Sequence, residues 1–488
     1  MAAGNPQNGY VGNLTEEQEG KLRELWAATF KIFNIATVDE HITPIPSQNG
    51  TGTPSTDETT DKKKSKKKFG IFNRKGDSST ESGETASTSS STLTGGLENM
   101  KISDADDKFG ESKDFINALT NQSPEDLRTT FWNLVKHDHP DALLLRFLRA
   151  RKWDVQKALI MMVSTIQWRL DEMHVDDVVV KHGEAGALKD CSSSDPTAKE
   201  NGEGFMAQLR LGKSFLHGTD KQGRPMCFIR VRLHKQGEQS ETSLERFTVH
   251  VIETARLMLL PPVETATIVF DMTDFSLANM DYAPVKFMVK CFEANYPECL
   301  GVVLIHKAPW LFSGIWSIIK GWLDPVVAAK IQFTKTVDQL EEFIPRNHIP
   351  KDLGGDEDFT YEYIEPQPNE NAQMEDTDKR DGLLAQRDTI ILRFHEATLS
   401  WMSAAAKNDK EKCAALQKER SELVAQLFDA YWKLDPFLRA RSLYDRQGLI
   451  QSGGKIDFYP TKEKANGGEA PAEKAKDETP QPSENDLD

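Results

Sequence analysis

The chain has 488 residues, enough for roughly two or three domains, each with its own core. A net charge of -16 argues against sequence-independent nucleic-acid binding, which requires Lys and Arg to neutralise phosphates. Five cysteines without a C-x-x-C pair suggest neither a disulfide framework nor a thiolate zinc site, which fits a reducing compartment. Since neither a signal peptide nor an apolar stretch of ~20 residues is recognisable, any membrane contact is expected to be peripheral.

The first predicted element is an amphipathic helix within residues 1–40. Thr15 to Gln18 form a capping box, whose two end side chains bond exposed backbone N–H groups. Apolar residues follow at helical spacing, namely Leu22, Leu25, Trp26, Phe30 and Phe33. This face needs a partner to pack against.

Residues 41–111 are predicted to be a disordered polybasic and Ser/Thr-rich linker. From about His41 to Gly110, polar residues replace the apolar ones that would offset the entropy of ordering. The linker contains a basic run from Lys62 to Lys75, eight Lys and Arg residues without an acid.

The basic run is a candidate for membrane attraction. Clustered cations attract anionic lipids at ~1 kcal/mol per residue, and aromatic side chains insert at the interface. The assigned residues are Lys62, Lys63, Lys64, Lys66, Lys67, Lys68, Phe69 and Phe72. Phosphorylation of the segment from Ser78 to Thr94 would oppose this attraction. A solvated linker and a nuclear import signal are the alternatives.

Residues 112–176 are predicted to form a small helical domain. Ser123 is a good helix N-cap, followed by Pro at the first helical position and by two acids in the first turn. Asp154 caps a last helix that reaches Trp168 and Arg169.

Residues 177–365 are predicted to form an α/β domain. After a polar loop from Lys189 to Glu203, alternation from Cys227 to His234 indicates a strand with one buried face. Further apolar strands are predicted at 267–270, 302–305 and 331–333. Between them lie helices capped at 242–245, near 281–296 and near 311–329. Helices alternating with short strands predict a mostly parallel sheet with right-handed crossovers.

The remainder of the chain is predicted to contain one or two polar helices within residues 366–435. A mostly disordered tail, rich in Pro, Glu and Lys from Thr461 onward, is assigned to residues 436–488.

Several motifs in a fixed order resemble one known family. The segment from Leu144 to Arg169 resembles the N-terminal helices that precede CRAL-TRIO domains. The α/β segment resembles the lipid-binding CRAL-TRIO domain itself through five short motifs, at 220–225, 295–298, 306–310, 324–331 and 349–355. The likeness covers roughly 122–355 and is greatest to the fungal phosphatidylinositol/phosphatidylcholine transfer proteins. The helix that starts at Leu14 also resembles a fungal subgroup linked to phosphatidylinositol and to neutral isoprenoid lipid.

The resemblance implies that the sheet floors an apolar pocket closed by a movable gate helix. The candidate gate and pocket residues are Leu311, Phe312, Ile315, Trp316, Ile319, Trp322 and Leu323. Two apolar faces on one helix suit an element that alternates between covering a lipid and entering a bilayer. Without the resemblance, the same pattern would indicate a helix buried in a core.

The family's inositol-phosphate residues correspond to Arg151, Lys152, Glu298 and Lys330 in this chain. Cations match a phosphodiester, and a carboxylate accepts hydrogen bonds from inositol hydroxyls. Ordinary helix-end charge and a structural cap are the alternative roles. The chain departs from the family at Val327, where the phosphoinositide binders have Thr.

Other chemical signals are weak. The segment from Ala207 to Ser214 fits only the loosest phosphate-loop pattern, and Ser214 to Gly218 is expected to run into a turn. His137 and His139 flank an acid but are expected to be solvated rather than metal ligands. We recognise no pairing of a nucleophile with a base, which argues against an enzyme.

We therefore expect a monomeric, non-enzymatic protein that transfers or presents one phospholipid, with phosphatidylinositol as a candidate and no cofactor besides this cargo. It would be cytoplasmic and peripherally, transiently bound to anionic organelle membranes, without a nucleic-acid partner. Alternatives are a carrier of squalene, a sterol precursor or heme, and a lipid-sensing signalling adaptor.

Overall fold

The structure is a computed structural model that describes residues 8–35, 102–103 and 107–460. The basic run, the Ser/Thr-rich segment and the tail from residue 461 lie outside these described residues. No helix in the described ranges is long and apolar enough to cross a membrane.

The described residues form fifteen α-helices and five β-strands. The N-terminal and central helices are α1 (Glu16–Ile32), α2 (Glu111–Asn121), α3 (Pro124–Val135), α4 (Pro140–Ala150), α5 (Val155–Gln167), α6 (Lys181–Asp190), α7 (Pro196–Leu211), α8 (Glu241–Leu257) and α9 (Tyr282–Lys290). The later helices are α10 (Phe312–Lys320), α11 (Pro325–Ala329), α12 (Val337–Glu341), α13 (Thr377–Ala406), α14 (Lys410–Leu438) and α15 (Leu443–Arg446). The strands are β1 (Ser214–Thr219), β2 (Pro225–Arg230), β3 (Ala266–Asp271), β4 (Leu300–His306) and β5 (Ile331–Thr334).

Helices α1 to α5 share one hydrophobic core with α13 and α14. The predicted capping box is present at Thr15, and the apolar face of α1 packs against α4 and α5. Trp26 and Phe394 meet in this core, with ring centroids 5.8 Å apart. The predicted linker extends too far, because Ile102 is buried in the same core and α2 already begins at Glu111.

The sheet has the strand order β1-β2-β3-β4-β5 and confirms the predicted α/β class. Strands β2 to β5 are parallel, whereas β1 pairs antiparallel with β2 at one edge. Successive side chains of a strand point to opposite faces of the sheet, and each face has its own core. Ile268 and Ile305 belong to one core, and Val269 and Leu304 belong to the other.

Several predicted boundaries were wrong. The strand predicted through Leu233 ends at Arg230, and both of its faces are covered because helices and the C-terminal region enclose the sheet. Most of the predicted polar loop at 189–203 is helical, because Asp195 caps α7. Helix α8 begins after Ser240 rather than at the predicted cap.

Two errors concern the elements around the site. The segment predicted to be a turn at 214–218 is strand β1. The side chains of β1 that point away from the sheet core are covered by neighbouring segments of the chain. The single helix predicted at 311–329 is two helices, α10 and α11, because the chain turns at Gly321 and restarts at the N-cap Asp324.

The C-terminal region belongs to both cores. The predicted helix pair is present as α13 and α14, which bury Trp401 in the first core and Trp432 in the second. The tail predicted to begin at 436 starts too early, because α14 continues to Leu438 and Tyr444 of α15 is buried. Removal of the chain beyond Pro366 would therefore expose apolar core surface.

Candidate functional site: an apolar cavity beneath helix α10

One face of the sheet floors a cavity of about 250 Å³. Its floor consists of alternate strand residues, among them Cys227, Ile229, Ile268, Phe270, Val303 and Ile305. Helices α8 and α9 form its walls, through residues such as Phe247, Val251, Val285 and Met288. The parallel strands place these apolar residues on one side because their side chains alternate. The cavity offers an apolar surrounding to hydrocarbon.

Helix α10 covers the cavity. Phe312, Trp316 and Ile319, together with Leu323 just beyond the helix, line the cavity. The other predicted gate residues, Leu311, Ile315 and Trp322, belong to the same apolar cluster.

The outward side of α10 differs from the prediction of two apolar faces. Ser313, Ser317 and Lys320 are exposed there, and Ile318 is the large apolar side chain among them. Exposed apolar groups instead lie in the segments that flank the helix: Trp310 just before it is 88% exposed, Val326 on α11 is 52% exposed, and Phe333, whose ring contacts Trp316, is 44% exposed. The covering helix thus has one inward apolar face and an apolar rim at the surface.

Glu298 and Lys330 lie together at the amino edge of the sheet. Glu298 precedes β4 and Lys330 precedes β5, and because these strands are parallel neighbours, the two side chains approach each other. Lys330 Nζ lies 3.4 Å from Glu298 Oε2, and both side chains are about one-fifth exposed. Such an open ion pair can exchange partners with a phosphate and with hydroxyl groups.

Arg151 and Lys152 lie on the turn that follows α4. Arg151 Nη2 donates to the buried carboxylate of Glu111, at 2.6 Å from Oε2. Burial raises the pKa of Glu111, while Arg151 opposes this rise. Lys152 is exposed and has a positive φ of 52°. Among the described residues, neither cation contacts Glu298 or Lys330, so the four predicted residues form two separate groups.

Val327 lines the apolar cavity, one turn before Lys330. Its carbonyl oxygen accepts a hydrogen bond from the backbone N–H of Lys330, at 3.1 Å. The departure from the family pattern therefore places an apolar side chain without a hydroxyl group in the wall of the cavity.

Two further lysines escaped the sequence analysis, of which only Lys213 lines the cavity. Lys108, which was assigned to the linker, donates to Glu293 Oε2 at 2.6 Å and to the carbonyl oxygen of Trp322. Lys213 lines the cavity, although it was considered only as part of the phosphate-loop pattern. The contacts of both lysines depend on long-range packing, which no local sequence pattern indicates.

The weak chemical signals have structural explanations. The phosphate-loop pattern runs from helix α7 into strand β1, the reverse of the required order. His137 is not solvated as expected, because it stacks on Trp432 at 5.2 Å and burial lowers its pKa to about 4. His139 caps α4 by accepting from Asp141 N. The described residues contain no group of three or more potential metal ligands.

Comparisons with known proteins identify the family. The CRAL/TRIO domain matches residues 209–355, and the CRAL/TRIO, N-terminal domain matches residues 111–164. A CRAL-TRIO domain-containing protein of Schizosaccharomyces pombe is 43% identical, over 90% of this chain and 91% of its own. The phosphatidylinositol transfer protein CSR1 of Eremothecium gossypii is 39% identical, over 91% of this chain and 98% of its own. The phosphatidylinositol/phosphatidylcholine transfer protein SFH12 of Arabidopsis thaliana is 28% identical, over 45% of this chain and 40% of its own. This chain belongs to the CRAL-TRIO family, as its motifs predicted.

Proposed function

We propose that the protein binds one phospholipid beneath α10 and transfers or presents it at membranes without covalent chemistry. The apolar cavity, closed by a helix with an apolar inner face, is the observation that carries this proposal. Each CH₂ group removed from water contributes about 0.8 kcal/mol, so acyl chains require such an enclosure. The lipid is cargo, not a cofactor.

Phosphatidylinositol is the candidate cargo. The Glu298–Lys330 pair supports this choice, because the ammonium group can bind the phosphodiester while the carboxylate accepts from inositol hydroxyls. Arg151 and Lys152 would join this site after a movement that brings the turn after α4 toward β5. The two transfer proteins among the relatives carry phosphatidylinositol in their names, which is consistent with this cargo.

Membrane contact would be peripheral and would use the rim around α10. Trp310, Val326 and Phe333 provide exposed apolar groups, and the exposed Lys320 and Lys335 provide charge for anionic lipids. The basic run from Lys62 to Lys68 would add to this attraction. We propose a monomer that moves between the cytoplasm and organelle membranes.

Vesicle-to-vesicle transfer of labelled phosphatidylinositol and phosphatidylcholine, with the full chain, tests the proposal. Mass spectrometry of copurified lipids would identify the cargo. In Lys330→Ala, phosphatidylinositol transfer should fall about tenfold, because a charge-assisted hydrogen bond to the phosphate is lost. Phosphatidylcholine transfer should also fall, because this lipid carries the same phosphodiester, whereas the melting temperature should change little.

Lys351→Ala is the matched control. Lys351 does not line the cavity, and its Nζ forms an exposed ion pair with Asp358 Oδ1, 3.1 Å away. It should transfer both lipids at the wild-type rate. Absence of transfer and of copurified lipid in the wild type would reject the function. Unchanged phosphatidylinositol transfer in Lys330→Ala would reject the head-group assignment alone.

A further inference from the structure

At the carboxyl edge of the sheet, a group of polar side chains lines the cavity. Lys213 precedes β1, and its backbone carbonyl oxygen accepts from Arg230 N at the carboxyl end of β2. The Lys213 side chain is buried and lines the cavity. Its Nζ donates to Gln239 Oε1 at 2.5 Å and lies 3.2 Å from His234 Nδ1.

Lys213, His234 and Asp281 form a hydrogen-bonded chain along the cavity wall. His234 Nε2 lies 3.3 Å from Asp281 Oδ2, and Asp281 Oδ1 caps helix α9. With the ring proton on Nε2, His234 accepts from Lys213 and donates to Asp281. All three residues line the cavity. The arrangement fixes the position of the ammonium group.

Within residues 8–35, 102–103 and 107–460, no carboxylate directly contacts the charged group of Lys213. In the described ranges, no acidic oxygen lies within 4.0 Å of its Nζ, and two of its three protons have acceptors. Asp281 is separated from it by the imidazole ring, and Glu238 also acts only at longer range. A buried cation without a counter-ion is costly, so this position favours an anionic ligand.

Lys213 supplies the positive charge at this end of the cavity, because the Arg230 side chain faces the other side of the sheet. The Arg230 guanidinium lies over the Phe215 ring at 4.8 Å and 3.9 Å from Asp352, and Phe215 belongs to the opposite core. Burial lowers the pKa of Lys213 to about 8, so the side chain remains mostly protonated at neutral pH.

One phosphate cannot contact both Lys330 and Lys213. Glu298 and Lys330 lie at the amino edge of the sheet, and Lys213 lies at the carboxyl edge. Strand β3 between these edges has six residues, which span about 20 Å at ~3.3 Å per residue. A lipid with its phosphate at Lys330 would direct hydrocarbon, not charge, toward the Lys213 end.

We propose that the Lys213 end of the cavity is a second ligand site, which binds the terminal anionic oxygen group of an acyl-chain ligand. The group is a carboxylate or a phosphate monoester, held by the Lys213 ammonium group. This inference rests on the proposed lipid binding but not on phosphatidylinositol as the cargo. A choline head group would bring its own cation toward Lys213 and is disfavoured.

Two probe pairs test the site by competition with a fluorescent fatty acyl ligand bound to the delipidated full chain. Oleate is compared with methyl oleate, and phosphatidate with phosphatidylcholine, below their aggregation concentrations. The first pair tests the carboxylate and the second tests the phosphate monoester. In the wild type, at least one anionic probe should bind about tenfold more tightly than its partner.

Lys213→Met should remove this preference, whereas Lys213→Arg should retain it. The control is Lys235→Met, whose side chain is exposed and pairs with Glu238 at 3.5 Å. Because each preference is a ratio within one variant, partial loss of folded protein does not change it.

Equal ratios in the wild type and Lys213→Met would overturn the inference. Phosphatidylinositol transfer, measured separately with Lys330→Ala, reports on the proposed function. A preference that depends on Lys213 without any transfer would reject the proposed function alone. Transfer that depends on Lys330 without the preference would reject this second site alone.

Discussion

Arg420 donates two hydrogen bonds to the Asp141 carboxylate, at 2.9 and 2.6 Å, although 279 residues separate them in the chain. Trp26 Nε1 donates to the same carboxylate at 2.7 Å. Burial alone would raise the pKa of Asp141, but Arg420 and the neighbouring donors hold it below its ordinary value. One buried carboxylate thus joins α1, α4 and α14.

We predict that Asp141→Asn lowers the free energy of unfolding by about 3 kcal/mol, because the buried Arg420 loses its counter-ion. Urea unfolding at pH 7 measures this change. Glu24→Gln is the control, since Glu24 forms an exposed pair with Lys21 and should change stability by at most about 0.5 kcal/mol. Equal stability of the two variants would contradict the role of this contact.

Helix α1 has a local pattern that the sequence could predict and a long-range connection to α14 that it could not. The capping box and the spacing of Leu22, Trp26 and Phe30 are local patterns, so the helix and its apolar face were predictable. Its connection to Arg420 through Asp141 was not, because that connection depends on how the distant α14 packs. The same reason explains why residues 436–460 were assigned to the tail.

We predict that Tyr444→Phe destabilises the protein by about 1–3 kcal/mol, because the buried backbone N–H of Leu216 loses its acceptor. In the structure this N–H donates to Tyr444 Oη at 2.7 Å, which covers the outer edge of β1. Urea unfolding measures the loss, and hydrogen exchange at Leu216 should accelerate. In Tyr459→Phe the loss should be smaller, because Tyr459 is 39% exposed and water can replace its bond to Thr219 N. A larger effect in Tyr459→Phe would refute this explanation.

The candidate site was predictable where its residues belong to short motifs. All seven predicted gate residues pack in the cavity-side cluster, and Glu298 and Lys330 are paired. The predicted second apolar face of α10 was wrong, because the helix period alone does not show where the helix ends. Lys213 was missed because its neighbours His234 and Asp281 are brought to it by the strand order.

Acid should destabilise the fold between pH 6.5 and pH 4 through His395. Burial between Phe30 and Trp132 lowers its pKa to about 4, against about 6.5 in the unfolded chain. Since only the unfolded state takes up this proton in that range, the free energy of unfolding should fall by about 2 kcal/mol from pH 7 to pH 5. The free energy of unfolding is measured against pH for the wild type and for His395→Phe. The difference between the two profiles isolates this contribution, because the other titrating groups contribute about equally to both. Parallel pH profiles would show that His395 is not the cause.

Trp310 should contribute to membrane binding rather than to stability. Its side chain is 88% exposed beside α10, so Trp310→Ala should change the free energy of unfolding by less than about 0.5 kcal/mol. Binding to anionic vesicles should weaken about tenfold, because the variant lacks the aromatic side chain whose transfer from water to the membrane interface favours binding. Vesicle cosedimentation measures the affinity, and lipid transfer should slow in proportion.

Leu392→Ala is the control for Trp310→Ala, because Leu392 is an apolar side chain on α13 with 56% exposure. It should bind vesicles as the wild type does, since α13 packs on the helical core and not around the cavity. An equal loss in both variants would indicate general apolar adsorption. A loss confined to Trp310→Ala would assign the membrane-facing side of the molecule to the rim of the covering helix, where a departing lipid could pass directly into the bilayer.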